Sequence, residues 1–471
     1  MTIPSSLRIL SLGAALTGLF GLLDSVQGQS TYSPYSRFGL GKLQSGAGAA
    51  QMGMGQMGAA WTDRSHLNTI NPAAAAFLTR TTFAGGFDVR SERIMEGDSA
   101  TQGELGGLTQ IAFALKRAGG KSAITFGLQP RSQAGYDVSQ ALVDPVADAY
   151  EIRYSGTGGL SQSYIGYARR WEGYAWRKFT DGDGTVTDSS RIITSGTAFG
   201  ARFEQVFGSM VRTRNIDVAN PIYVDTRVQT DETHRSAGFT LGLVREQLIS
   251  AKFDKDKKLV SSALLRIGGV AQLGRQHTAD RMTRWASWQT LSTGPLEVDS
   301  VHATSEKYTL DLPLSLALGA EWEYNSRKGA RWRIGAEWRK TSWSVLAPDM
   351  LDPGVSWRDD VGFSAGASLT PRGLDDARNG FQRATYSIGH SAQSGYILID
   401  AGPVQSSMWS LGWSLPMLGS RSGSSINLAL TWQNTSTGSD ALLTENGIGA
   451  MVGFTLHPFF KNQWLVPRKY D

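Results

Sequence analysis

The 471-residue chain contains no cysteine, which excludes disulfides, thiolate metal sites and a cysteine nucleophile. Histidine is scarce too. His66, His234, His277, His302, His390 and His457 show no metal-ligand spacing such as His-x-x-x-His, and no metal or other cofactor is expected. Neither sign of charge dominates: 46 basic and 41 acidic residues are interspersed rather than blocked, so nucleic acid is not an expected partner. Long apolar runs are missing apart from one near the start, which excludes a helical inner-membrane protein.

That one run reads as an export signal. Arg8 supplies the positive charge, Ile9 to Leu23 the apolar segment, and "VQG" at 26 to 28 a small-residue cleavage site. As a membrane anchor it falls short of the ~20 residues that a spanning helix needs. The reading is therefore a cleaved signal peptide over residues 1–28.

What is abundant is glycine, 55 residues, in a chain that is 41% hydrophobic, a composition that predicts a sizeable folded unit. The apolar residues follow a period of two. In "YTLDLPLSLALGAEWEY", residues 308–324, every second residue from Tyr308 to Tyr324 is apolar or aromatic, while Thr309, Asp311, Ser315, Glu321 and Glu323 stand between them. A helix would scatter these leucines around its circumference, so they belong to a strand. A soluble sandwich alternates as well, but its strands usually end within about 10 residues. The aliphatic part spans ~33 Å, or ~25 Å after a tilt of ~40°, matching the apolar band of an outer-membrane barrel.

Aromatic residues fall where that band should end. Tyr308, Trp322, Tyr324, Trp332, Trp338, Trp409, Trp413 and Trp432 are expected at the membrane interfaces. The opposite parity is charged: Glu321, Glu323, Arg331, Arg333, Glu337 and Arg339 are expected to face a wet lumen. Fourteen strand-like segments lie between residues 81 and 458, an even number that a closed antiparallel barrel requires. Short links at 118–120, 251–259, 326–329 and 419–422 read as periplasmic. Long ones at 131–159, 171–192, 209–235, 277–307, 346–357 and 436–445 read as extracellular. The fold class is thus all-β, a transmembrane antiparallel barrel of about 14 strands over residues 81–471, preceded by an N-terminal segment, 29–80.

Residues 29–80 are rich in Gly, Ala and Met and hold no stretch long enough to cross a membrane, which suits a plug inside the lumen; a flexible periplasmic tail is the alternative. "GMGQMGAAWTDRSHLNTINPAAAAFL" resembles the N-terminal hatch of FadL-type long-chain fatty-acid transporters, which ends in Asn-Pro-Ala, here Asn71, Pro72 and Ala73. The opening "TYSPYSRFGLG" and closing "WLVPRKYD" resemble the ends of an FadL-related group of Bacteroidota outer-membrane proteins. The resemblance implies a monomeric barrel in outer-membrane lipid, closed by its hatch, that admits a hydrophobic small-molecule ligand. Some relatives act instead as scaffold subunits of envelope protein complexes such as the type nine secretion machinery. The charged inner face departs from a fatty-acid-binding pattern, although an arginine suits a carboxylate headgroup.

No catalytic constellation assembles, so a non-enzyme is expected. His390 and Ser391 are neighbours, but His390 shares its parity with Tyr386 and Ile388, on the lipid face. "DGDGTVTD", residues 181–188, matches only the start of a calcium loop, lacks the distal Glu, and reads as a solvated loop. The basic end, Arg468 to Tyr470, is expected on the periplasmic rim.

Overall fold

The computed structural model describes residues 32–457 except 98, 117–119, 145–147, 181–185, 221, 255–258, 292–293, 347–353, 374–376, 400–401, 418–422 and 439–442. The export signal, the core of the acidic stretch 181–188 and the basic end lie outside the described residues.

The strands are β1 (Lys42–Leu43), β2 (Thr82–Glu96), β3 (Ser99–Lys116), β4 (Ser122–Asp144), β5 (Asp148–Thr180), β6 (Val186–Val218), β7 (Asp225–Phe253), β8 (Leu259–Gln272), β9 (Arg275–Leu291) and β10 (Gly294–Leu312). They continue as β11 (Ser315–Ser326), β12 (Arg331–Thr341), β13 (Val355–Trp357), β14 (Asp360–Thr370), β15 (Thr385–Gln393), β16 (Ile397–Ile399), β17 (Gly402–Pro403), β18 (Gln405–Pro416), β19 (Ser425–Ser436) and β20 (Thr444–Leu456). Antiparallel neighbours pair around the ring, and β20 closes on β2 from Phe83↔Leu456 to Met95↔Thr444. The result is a closed barrel of 14 wall strands, in which β8 with β9 and β10 with β11 each form one crossing. Every wall strand thus has a partner on both sides over at least part of its length, the condition a membrane imposes on a β-structure. Among the described residues only β3 and β4 part, above Ile111↔Leu128.

Alternation sets the two faces. Phe203, Leu243, Ile267, Leu318, Ile334 and Phe363 are exposed on the outside. Trp322, Trp332, Trp338, Trp409 and Trp432 share that exposed face, and Tyr324 and Trp413 are half-buried on it. Because lipid-facing charge is penalised near the midplane, Leu318→Arg is expected to cost ~2–4 kcal/mol, and Ser315→Arg, on the inner face, much less. Heat-modified electrophoretic migration of the two variants checks this; equal loss of folded barrel would refute the assigned parity.

Tyr308 is a correction. The alternation from 308 to 324 is not one uninterrupted strand, because it breaks at Pro313, between β10 and β11. Leu314, Leu316 and Leu318 are exposed, whereas Leu310 is buried and Tyr308 donates its hydroxyl to Glu232 at 3.0 Å. Proline has no amide N–H for the ladder, and β8 breaks opposite it at Leu273–Gly274. Even-numbered residues therefore point inward before the break and outward after it, so Tyr308 is not a membrane-interface aromatic.

Two expectations about connections also change. Residues 131–159, 209–235 and 277–307 are largely strand, not loop, since β4 to β7, β9 and β10 continue as antiparallel ribbon beyond the wall. The segment 171–192 lies at the same end as the short links, here termed the lower end, where β2 begins and β20 finishes. Strands alternate in direction, so the β5–β6 connection cannot share an end with the β4–β5 connection at 145–147.

The upper end is covered by an apolar cluster. Trp343 stacks on Trp357 at 5.9 Å and meets Tyr396 at 5.0 Å. Around them lie Leu40, Leu160, Val206, Met210, Leu310 and Ile397.

Candidate functional site: the occupied lumen

Residues 32–81 run inside the barrel. They form a 3₁₀ turn at Pro34–Arg37, strand β1, helix α1 (Ala49–Met52) and a second 3₁₀ turn at Pro72–Phe77. Asn71 starts the last turn. Its side chain accepts from the Ala73 N–H at 2.9 Å, as an N-cap does, and Pro72 follows at the first position, where its missing N–H leaves nothing unpaired. The Asn71 amide donates to Ala59 O at 2.6 Å and reaches Leu243 O and Gly269 O at 3.4 Å, so it ties the segment to β7 and β8. Ala73, Ala75 and Ala76 are buried with Tyr164, Ala168, Ala198 and Val244.

The wall gives way to this segment at glycines. A Cβ on Gly268 would lie 1.9 Å from Ala59 O, and one on Gly242 2.1 Å from Asn71 Oδ1. The obstacle at Gly268 is backbone, which no side-chain rotation relieves. Gly268→Val is expected to cost at least ~1–3 kcal/mol as overpacking and to push the segment away from β8. Limited proteolysis should then cut within residues 45–70 of a barrel that stays folded; unchanged protection would show that the contact is dispensable.

Charged groups complete the attachment. Glu337 accepts the Gly58 and Ala59 N–H groups at 2.7 and 2.6 Å. Arg333 pairs with Glu321 at 2.7 Å and with Asp63 at 3.3 Å, donates to Thr62 O at 2.9 Å and covers the Trp61 ring at 5.2 Å. Arg331 reaches Asp63 at 3.3 Å, and Arg266 joins Glu321 and Glu323 at 2.7 Å each. Burial alone would raise the Asp63 carboxyl, but Arg331, His66 and Arg333 outweigh it and hold Asp63 well below the usual carboxylate range. Arg339 lines the same face, 3.4 Å from Ser364 Oγ. Arg331 and Arg333, candidates for a ligand headgroup, thus have carboxylate partners inside the protein.

Further buried polar contacts were not visible in the sequence, most of them because the partners lie far apart in the chain. Arg202 and Arg275 flank buried Glu204 at 2.6 and 3.1 Å, and Arg202 also bonds Thr69 O. Lys42 meets Glu92 at 2.7 Å, and Ser33 donates to Glu445 at 2.6 Å. His234 lies 3.1 Å from His277, both buried. His390 packs on Trp409 at 4.6 Å, while Ser391 is buried on the opposite face, so the two do not form a dyad.

The wall has one discontinuity of note. β3 pairs with β4 only from Ile111↔Leu128 to Lys116↔Ala123, although both strands continue upward. A register shift between Pro130 and Ser132 turns β4 inward, and β1 pairs with it there, Lys42↔Gln133 and Leu43↔Ser132. Ser33 N–H donates to Gly135 O at 2.8 Å, and Tyr32 packs against Gly103 of β3. Residues 32–44 therefore bridge the parted strands from inside. A cavity of about 210 Å³ remains behind them, lined by polar groups such as Lys42, Arg90, Gln133 and Glu445 together with Met52 and Met408.

The BamG family model matches residues 14–173 and 181–471. The chain belongs to the BamG family. In fold it is a FadL-type barrel. It is similar to the CymD monoaromatic hydrocarbon channel (11% identity, 90% of this chain and 100% of that one, TM-score 0.51). It is similar also to the Ralstonia pickettii toluene transporter TbuX (15%, 88% and 98%, 0.50) and to a deltaS2 mutant of the TodX monoaromatic hydrocarbon channel (13%, 88% and 99%, 0.51). Nothing among curated proteins matches the chain. At these identities the likeness extends to the fold.

Proposed function

We propose that this BamG-family barrel is a non-conducting accessory subunit, a scaffold in an outer-membrane protein assembly or secretion machinery, with residues 29–80 as its plug. The observation that carries this reading is the filled lumen. Contacts from the wall to the inner segment, such as Arg333–Asp63, Lys42–Glu92 and Glu337 with the Gly58 and Ala59 N–H groups, occupy the space that a tunnel for apolar solutes would need. An apolar ligand moving there would have to strip charges that are already paired, with no compensating partner. The upper ribbons of β4 to β7, β9 and β10 supply surface beyond the membrane, and a stable partner needs on the order of 1,000 Å² of it.

A second reading, passive uptake of hydrophobic molecules, is favoured by the parted β3–β4 wall and the cavity of about 210 Å³ behind it. The two separate in one preparation. The protein, extracted in mild detergent, is analysed by native mass spectrometry and then reconstituted in liposomes with toluene and a fatty acid outside. A stoichiometric protein partner without solute flux supports the scaffold. Bound apolar ligand, with flux above that of protein-free liposomes, would overturn it in favour of uptake.

A further inference from the structure

An arginine-rich cup opens at the upper end of the barrel, outside the occupied lumen. It encloses about 600 Å³, within the range of small-ligand sites, with Arg37 to Leu40 as its floor and inward-facing residues of β6, β7, β9 and β10 as its walls. Three arginines, Arg212, Arg214 and Arg281, meet two carboxylates, Glu232 and Glu306, and Arg37, which is engaged elsewhere as well, closes the floor. Both carboxylates are committed. Arg281 binds Glu232 at 2.7 Å and Glu306 at 2.9 Å; Arg212 also holds Glu232 and donates to Gly39 O at 2.8 Å. Arg214 is exposed and has no carboxylate partner among the described residues. It stands directly across the ladder from Tyr154, whose ring carries the Arg37 guanidinium at 3.8 Å. Trp285 adds a further ring face to the wall, while the Tyr308 ring carries the Arg281 guanidinium at 4.6 Å.

This combination selects a ligand class. The excess positive charge repels cations and gives no advantage to a neutral or purely apolar solute. A guanidinium fork matches phosphate oxygens in two parallel hydrogen bonds, and aromatic faces suit the flat apolar side of a sugar ring. We propose that the cup is a binding site for a phosphate-bearing saccharide. Its source is either a soluble sugar phosphate or the phosphorylated sugar of an outer-leaflet lipopolysaccharide. The inference stands on the cup alone and does not depend on whether the lumen conducts.

The test uses the intact mature protein in a neutral detergent, titrated by calorimetry with glucose 1-phosphate, glucose and deep-rough lipopolysaccharide. Glucose 1-phosphate or the lipopolysaccharide should bind at least tenfold tighter than glucose, and salt should weaken that binding. Arg214→Gln should lower the affinity about tenfold, and Arg214→Lys should lose less. This exposed position has no structural partner among the described residues, so both variants should fold. Binding confined to the lipopolysaccharide, with the same dependence on Arg214, assigns the site to a lipid; binding confined to glucose 1-phosphate assigns it to a solute. Equal affinity for glucose, or binding indifferent to both Arg214 variants, would overturn the proposal.

Discussion

Removing residues 31–78 while keeping the export signal should leave a folded barrel that conducts as an open pore. Those residues contribute none of the 14 wall strands, and only β1 of theirs pairs with the wall, over Lys42 and Leu43. Their loss leaves every other ladder intact, so the barrel should still assemble. The lumen they vacate is lined by charged side chains, including Glu204, Glu321, Glu337, Arg266 and Arg333, which water will solvate readily. Planar-bilayer recordings should show steady conductance well above that of the intact protein. The same closed baseline in both would mean that the wall or the aromatic cluster at Trp343, Trp357 and Tyr396 closes the barrel by itself.

Arg333→Ala is expected to be strongly damaging, on the order of 3 kcal/mol, because it removes the guanidinium that joins buried Glu321 to Asp63. It leaves Glu321 to Arg266, and Asp63 to Arg331 and His66. Arg331→Ala should cost less, since that side chain is partly exposed and pairs with Asp63, whereas Arg333 joins Asp63 to Glu321. Urea unfolding in detergent compares the two; equal midpoints would show that the Arg333 network is not a cohesive unit. A pH series isolates Asp63. Its carboxyl is held well below the ordinary range, so its contribution to docking is complete above an unfolded-state value of about 3.9 and is lost as pH falls through the lower folded value. Protection of residues 45–70 from acid-active protease should therefore hold from pH 8 down to about 4 and fail only in stronger acid. Asp63→Asn should weaken that acid transition.

Much of this was legible in one dimension because the membrane imposes a simple rule. A wall strand has one lipid face and one lumen face, so a period of two, with tryptophans at its ends, marks the wall from local sequence alone. That is why Trp322, Trp332 and Trp338 could be placed outside, and Glu321, Arg333 and Glu337 inside, without coordinates. Asn71-Pro72-Ala73 stood out in the sequence only by its resemblance to a hatch motif; that Asn71 caps a 3₁₀ turn and is tied to β7 and β8 came from the structure.

What only the tertiary structure decided depends on partners far apart in the chain. Tyr308 keeps the apparent period, yet the break at Pro313, matched at Leu273–Gly274 on the facing strand, turns it inward toward Glu232. Whether the lumen was open or filled could not be read from alternation, because an inward charge looks the same whether water or Asp63 answers it. The glycines at 242 and 268 read as generic small residues until the backbone of residues 59 to 73 lies against them. Period fixes which way a side chain faces; only closure of the barrel around its own N-terminal segment fixes what it meets there.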